Sequence, residues 1–337
     1  MPLPAPAGAA SGRLLTHGHR LVMRYGRPVP RDDHRCVNTD TESAAVAAPL
    51  DGRTVVITGA SDGIGAAAAR HVAGLGARVI AVGRSAEKTA AVADSIGATA
   101  LTGDFARLED VRRVAGQILA LCPRIDVLAN NAGAMFPRRM VTVDGNEMTF
   151  QVNYLAGFLL TGLLLPRLAA TPGSRVLTTS SMINPAGRID LDDLDRSRRR
   201  YWQLAAYADS KLASILFVRE LARRVADAAA ESAGGATAGP TATAFHPGFV
   251  RSQFGRNTWY LSRLDGRWWN RFVARTPEQG AAPLVALTVR PDPHTVNGAY
   301  LHRFKRRERL LTARQARDAQ LARQLWERSA DLVGLPG

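Results

Sequence analysis

From Arg53 onward, short apolar runs alternate with longer stretches whose apolar residues recur at helical spacing. "RTVVIT" reads as a strand, "IGAAAARHVAGLG" as a helix, "ARVIAVG" as a second strand and "SAEKTAAVADSIG" as a second helix. A short strand near "TALTGD", a helix over "LEDVRRVAGQILALC" and the strand "DVLANN" come next. A long apolar helix beginning near Met148 is followed by the strand "SRVLTTSS", a helix containing "YADSKLASILFVRELARRVADA" and the strand "ATAFHPG". Strands and helices in strict alternation predict a parallel sheet covered on both faces. The Gly/Ala/Ser stretch "AAAESAGGATAGPTA" is a loose connection inside this series and not a domain break. Residues 51–337 are therefore expected to form one α/β domain, a doubly wound parallel sheet with helices on both faces.

Two regions stand apart from that alternation. The stretch from Met148 to Pro166, "MTFQVNYLAGFLLTGLLLP", carries no charge and approaches membrane-spanning length. Gln151, Asn153, Tyr154 and two threonines make it a poor lipid helix, so a helix packed between the sheet and a partner subunit is expected. Residues 1–50 are rich in Pro, Ala, Gly and Arg and hold no apolar run long enough for a signal-peptide core. They are expected to be a mostly disordered extension, or the result of translation begun upstream of the true start.

Composition narrows the function classes. The chain has 337 residues, 46% of them apolar, which excludes disorder of the whole and allows one large core or two modest ones. Cys36 and Cys122 lie far apart with no CxxC spacing, so neither a disulfide framework nor a zinc site is expected, no metal is called for, and a reducing cytoplasm fits best. The formal net charge of +15 would ordinarily raise nucleic acid or anionic lipid as partners. The only lysines are Lys88, Lys211 and Lys305, so the charge is nearly all arginine, as a GC-rich coding bias produces, and no nucleic-acid motif accompanies it. Dispersed, solvated arginine is the expected reading, for the run "HRFKRRER" as well; His17, His19 and His34 are expected to be solvated.

Candidate chemistry begins at "TGASDGIG", Thr58 to Gly65. Gly59, Gly63 and Gly65, with Ser61, Asp62 and Ile64 between them, link a strand to a helix, and glycines there let the backbone approach a diphosphate at a helix N-terminus. The spacing is TGxxxGxG and not GxGxxG, and alone it also describes a bare strand–helix turn. Where a site preferring NAD would place an acidic residue for the ribose 2′-hydroxyl, the second strand ends in "VGRS" with Arg84. A guanidinium there suits a 2′-phosphate, so NADP (NADPH) is expected in preference to NAD.

Further motifs follow in order: Asp104 in "GDFA", "NNAG" at 130–133, Asn153 in "QVNYL", Ser181 in "TTSSM", "YADSK" at 207–211 and "HPGFVRS" at 246–252. With the glycine loop they make the chain, from about residue 51 to its end, resemble the short-chain dehydrogenases/reductases. "QVNYLAGFLLT", "GRIDLDDL", "YADSKLASILFVRELARR", "RTPEQGA" and the tail "ARDAQLARQLWERSADLVGL" are most similar to the retinol dehydrogenase-like branch. The resemblance implies a Rossmann fold, with Asp104 and its neighbour Phe105 at the adenine and Asn130, Asn131, Ala132 and Gly133 along the adenosine. It places Pro247, Gly248, Val250 and Ser252 beside the nicotinamide, Ser252 standing where the family commonly has threonine and keeping the hydroxyl. A dimer or tetramer through the uncharged helix is consistent with it.

Reducing a ketone with a hydride needs a proton for the developing alkoxide, and an unperturbed tyrosine, with pKa near ~10, is a poor acid–base group at neutral pH. Lys211 lies four residues after Tyr207, so on a helix the two share a face. The ammonium is expected to lower the tyrosine pKa and also to hold the nicotinamide ribose. Ser181, at the carboxyl end of its strand, would hydrogen-bond the substrate oxygen. Asn153, by the resemblance, would hold a water linking Lys211 to solvent. "YADSK" alone is a common helical surface pattern; its place after a serine-bearing strand and a nucleotide loop gives it meaning.

Residues 253–275 are expected to form a lid in which Trp259, Tyr260, Trp268, Trp269 and Phe272 either shape an apolar site for a fairly large lipophilic carbonyl or alcohol or simply pack the lid onto the body. Arg256, Arg263, Arg267, Arg271 and Arg275 interleave with them, which makes contact with an anionic membrane the weaker variant. A non-catalytic NADP-binding sensor or scaffold is the competing reading, and the presence of Ser181, Tyr207 and Lys211 together argues against it.

Overall fold

Strands β1 (Thr54–Thr58), β2 (Arg78–Gly83), β3 (Thr99–Thr102), β4 (Val127–Asn130), β5 (Arg175–Thr179), β6 (Thr241–His246), β7 (Ala299–His302) and β8 (Lys305–Arg306) build one sheet. In this computed structural model residues 49–231, 239–250, 275–306 and 311–336 are described, so most of the expected N-terminal extension, Ser252 and nearly all of the expected lid lie outside them. The strand order is β3-β2-β1-β4-β5-β6-β7-β8, parallel throughout except for the antiparallel pairing of β8 with β7. Both β7 and β8 extend the sheet beyond the strands expected from the sequence.

The sheet is buried on both faces, and side chains alternate between the two cores. Val56 packs into the core under α3 (Leu108–Leu121), α4 (Met148–Ala169) and α5 (Gln203–Glu231). Its neighbours Val55 and Ile57 point into the core under α1 (Gly63–Gly74), α2 (Ala86–Asp94) and α6 (Pro277–Thr288). This two-sided burial is why the strands read as continuous apolar runs and not as alternations. Helix α6 begins with a capping box, Thr276 accepting from the Gln279 N–H and the Gln279 side chain accepting from the Thr276 N–H, with Pro277 at the first helical position.

Helix α4 is the one described helix long and apolar enough to cross a membrane, and most of it is buried inside the chain. Leu159, Leu160, Leu164 and Leu168 are fully enclosed. Part of its outer face is covered within the chain by α7 (Ala319–Val333), capped by Asp318 and closed by Gly334 at φ 62°. Trp326 of α7 stacks on Phe217 of α5, centroids 5.7 Å apart, and meets Phe158 of α4 edge-on at 4.8 Å. The Arg224 guanidinium lies 4.7 Å over the Trp326 ring. Near its start α4 carries a π turn over Gln151–Leu155, where the Ala156 N–H reaches back to the Gln151 carbonyl. Such a turn is an inserted residue in a helix and is frequent where a side chain must be re-aimed.

Candidate active site

The order of the sheet opens a crevice at the carboxyl ends of β1 and β4, where successive crossovers run in opposite directions. Thr58, last residue of β1, stitches the two edges together: its Oγ accepts from the Asn131 and Ala132 N–H groups at 3.0 Å each, and its carbonyl accepts from Asn131 Nδ2 at 3.0 Å. Gly59, at φ 67°, faces Ala132 so closely that a Cβ would sit 2.8 Å from its Cα. At Gly65 an added Cβ would lie 2.2 Å from the Gly59 carbonyl oxygen. Ser61 rides over Gly83 at the end of β2, and Asp62 caps α1 by accepting from the Gly63 N–H at 2.6 Å. The N–H groups of Ile64 and Gly65, at the positive end of the α1 dipole, have no acceptor among the described residues. Gly65→Ala must therefore displace the loop; we expect a stability loss of about 1–3 kcal/mol in thermal melts and loss of measurable nucleotide binding by fluorescence titration.

Arg84 and Asp104 follow the paired ends of β2 and β3, where the Gly103 N–H donates to the Gly83 carbonyl at 3.1 Å. Arg84 is exposed and has no carboxylate or carbonyl partner among the described residues. Asp104 uses Oδ1 to accept from the Ala106 N–H at 3.0 Å, and its own N–H is held by Asp110 at 2.8 Å. Phe105 is buried beneath this turn. On the other side of the crevice Val250 and Ile64 converge over Gly280, where a Cβ would lie 2.4 Å from Val250 Cγ2 and 3.1 Å from Ile64 Cγ1. Pro247 is buried, and Gly248 adopts φ 98° beside the Arg275 side chain.

Ser181 lies just past β5, and its carbonyl is fixed by Asn184 Nδ2 at 2.8 Å and by the Tyr300 hydroxyl at 3.2 Å. Its side chain hydrogen-bonds the Tyr207 hydroxyl. Lys211, one turn along α5, has its Nζ 5.5 Å from the Tyr207 ring centroid and donates to the Thr179 carbonyl at 2.9 Å. Burial holds the lysine down to about 8. Burial likewise pushes Tyr207 up to about 12, opposed only by the Ser181 hydrogen bond. The net shift of Tyr207 in this structure is therefore upward and not, as expected from Lys211, downward, because burial outweighs the Ser181 hydrogen bond. Asn153 sits in the π turn, where Oδ1 accepts from the Ala134 N–H at 2.6 Å and Nδ2 donates to Ser210 Oγ at 3.0 Å.

The residues named from the sequence therefore meet along one edge of the sheet, apart from Ser252, which lies outside the described residues. Sequence reasoning missed Thr58, Thr179 and Ser210, which hold the others in place. Only the position of Thr58 beside Gly59 and of Ser210 inside "YADSK" could have drawn notice.

A sequence model described as short chain dehydrogenase matches residues 53–253. The chain belongs to the short chain dehydrogenase family. Among its relatives, this dehydrogenase is similar to human (Homo sapiens) retinol dehydrogenase 13, with 38% identity over 301 residues covering 86% of each chain. It is also similar to the polyprenol dehydrogenase of Mus musculus, 37% identical over 300 residues covering 86% of this chain and 86% of that one. A crystal structure of a short chain dehydrogenase from Burkholderia cenocepacia J2315 in complex with NADP superimposes with a TM-score of 0.58 at 26% identity, over 75% of this chain and 97% of that one. The dehydrogenase is an oxidoreductase of alcohol and carbonyl groups that uses a nicotinamide cofactor. Its own geometry fits one: a glycine cradle that a Cβ would fill, two unclaimed N–H groups on a helix N-terminus and an uncommitted guanidinium at the end of β2.

Proposed function

We propose that the protein is an NADP-dependent oxidoreductase that interconverts a carbonyl and an alcohol on a lipophilic small molecule, with Tyr207 as the acid and base. The observation that carries this reading is the hydrogen-bonded Ser181–Tyr207 pair with Lys211 one turn away, at the mouth of the glycine-loop crevice. When bound, the nicotinamide supplies or accepts the hydride; Ile64 and Gly65 N–H groups, Arg84 and Asp104 would hold its nucleotide. Ser181 hydrogen-bonds the substrate oxygen and Tyr207 gives that oxygen its proton as charge develops. A phenol pushed up to about 12 is protonated at neutral pH, which suits proton donation to a carbonyl. Running the other way, Tyr207 must first lose its proton, with the Lys211 ammonium in its protonated form favouring the phenolate.

The lipophilic substrate is inferred from the side chains beside the reacting groups. Met182, adjacent to Ser181, is 39% exposed, and Leu204, one turn before Tyr207 on the same face of α5, is 42% exposed. Phe249, next to Gly248, is exposed as well. Apolar groups of this size left in water around a polar centre mark a surface that an apolar ligand covers. The names of the retinol and polyprenol dehydrogenases point the same way.

Titration with NADPH and NADH, followed by nucleotide fluorescence, tests the cofactor part of the reading. NADPH is expected to bind more tightly, and Arg84→Ala to weaken it by about ten-fold, the value of one charge-assisted hydrogen bond to the 2′-phosphate. Tighter NADH binding, unchanged by Arg84→Ala, removes Arg84 from this role. Apolar ketones and aldehydes should then be reduced with NADPH faster than hydrophilic ones of equal size.

A further inference from the structure

Asp209 lies between Tyr207 and Lys211 on α5, and a two-residue offset turns its side chain to the opposite side of the helix. There it meets the segment 187–202, which runs between Ser181 and Tyr207. Its Oδ1 accepts from the Arg188 N–H at 2.8 Å and its Oδ2 from Arg196 Nη1 at 2.8 Å, with Arg199 Nη1 at 3.9 Å. Both charged side chains of the main pair are enclosed, Arg196 9% and Asp209 7% exposed. The segment is braced from within by Asp193, whose carboxylate accepts from the Arg198 N–H at 3.0 Å and Arg199 Nε at 2.7 Å. Its first residue, Gly187, lies so close to α5 that a Cβ would be 2.5 Å from the Ala208 carbonyl oxygen.

This arrangement is unfavourable in several ways at once. Arg196 is held at φ 53°, a region that favours glycine. Its Nε is buried without an acceptor. Arg196 and Arg199 on the segment and Glu147 ahead of α4 are the charged groups that act on Asp209, and burial pushes its carboxyl up to about 6 in spite of the two guanidinium groups. A carboxyl raised in the folded state takes up its proton more readily there than in the unfolded chain. The ionised pair therefore detracts from stability above about pH 6, and stability is regained as pH falls toward the unfolded value.

We propose that Arg196 and Asp209 are positioning residues: their ion pair clamps the 187–202 segment to α5 and thereby sets the wall of the substrate cleft formed by its flanks, Met182 on one side and Trp202 and Leu204 on the other. The consequence for catalysis rests on the reading of Tyr207 as the acid and base; the clamp itself does not.

Asp209→Asn keeps the shape and the acceptor for the Arg188 N–H and removes the charge. It is expected to be cut by trypsin at Arg198, Arg199 and Arg200 at least about ten-fold faster than wild type, and to raise the KM for an apolar ketone by about ten-fold, with kcat within two- to three-fold and NADPH affinity unchanged. Its melting temperature should fall by several degrees, because the enclosed Arg196 guanidinium loses its carboxylate. Arg196→Lys, which keeps the charge but loses the fork, should recover part of the KM. Wild-type proteolysis and wild-type KM in Asp209→Asn overturn the proposal, as does a rise in KM that the nucleotide shares. Should Asp209→Asn fail to fold, Arg196→Gln is read by the same two assays with the same outcomes. An active Tyr207→Phe enzyme would defeat the assignment of Tyr207 while leaving the trypsin result to decide the clamp.

Discussion

Tyr207→Phe is expected to lower turnover by about a thousand-fold, inside the range lost when a general acid is removed, while nucleotide affinity and melting temperature stay as in wild type. Only the hydroxyl disappears, and with it the hydrogen bond to Ser181 and the proton for the substrate oxygen. Turnover within a few-fold of wild type would sink the mechanism. The same site makes a signed pH prediction for the wild-type enzyme. Carbonyl reduction should be flat near neutrality and decline as pH rises through about 8, where Lys211 loses the charge that favours the phenolate left behind. Alcohol oxidation needs that phenolate at the outset, so it should rise with pH up to about 8 and then level off as Lys211 becomes neutral. Because the folded pKa of Lys211 lies below its ordinary value, the buried ammonium detracts from stability at neutral pH, and this loss is relieved as pH climbs from about 8 toward 10.5. Lys211→Met should accordingly be inactive yet melt no lower than wild type.

The second large effect concerns α7. Trp326→Ala removes the ring stacked on Phe217 and edge-on to Phe158 and leaves the Arg224 guanidinium without its aromatic face. Trp326 is only partly buried, so the expected loss is about 2–4 kcal/mol, below that of a fully enclosed tryptophan. In a body of this size that corresponds to a fall in melting temperature of roughly 5–10 °C. A variant that melts within a degree of wild type would show that α7 is an ornament on α4 and α5 and not their cover. Phe217→Leu should be milder, since it keeps most of the volume.

The sheet through β6 and its helices were legible because each strand is buried on both faces and each helix carries an apolar stripe, which leaves the two periods distinct in the chain. The C-terminal third was read less well, although its signals are present: Thr276-Pro277 with Gln279 is a capping box, and Asp318 with Gly334 brackets a helix of pronounced two-sidedness. Strand β8 is only two residues long and exposed, too short for a period to emerge, and β7 follows a turn-rich stretch without the flanking helical pattern that framed the equally short β3 and β4. The site was legible where the chemistry resides in residue type and local spacing, as for Tyr207 and Lys211. It was not legible where it depends on long-range contacts. Nothing in the sequence places Thr58 against Asn131, or Arg196 against Asp209, and the direction of the Tyr207 shift is set by burial in the folded chain.

The π turn in α4 has a reach beyond the site it serves. Adjacent residues are sent to opposite sides of the helix: Asn153 to Ser210 and Ala134 at the reacting centre, Tyr154 to a 2.9 Å hydrogen bond with Ser329 on the outermost helix. Two environments are thereby joined through a single peptide unit. Ser329 is fully buried on the C-terminal helix, so a substitution there that breaks its bond to Tyr154 is expected to disturb the same backbone that aims the Asn153 amide, which would make the tail of the chain a fine adjustment on the site's innermost polar contact.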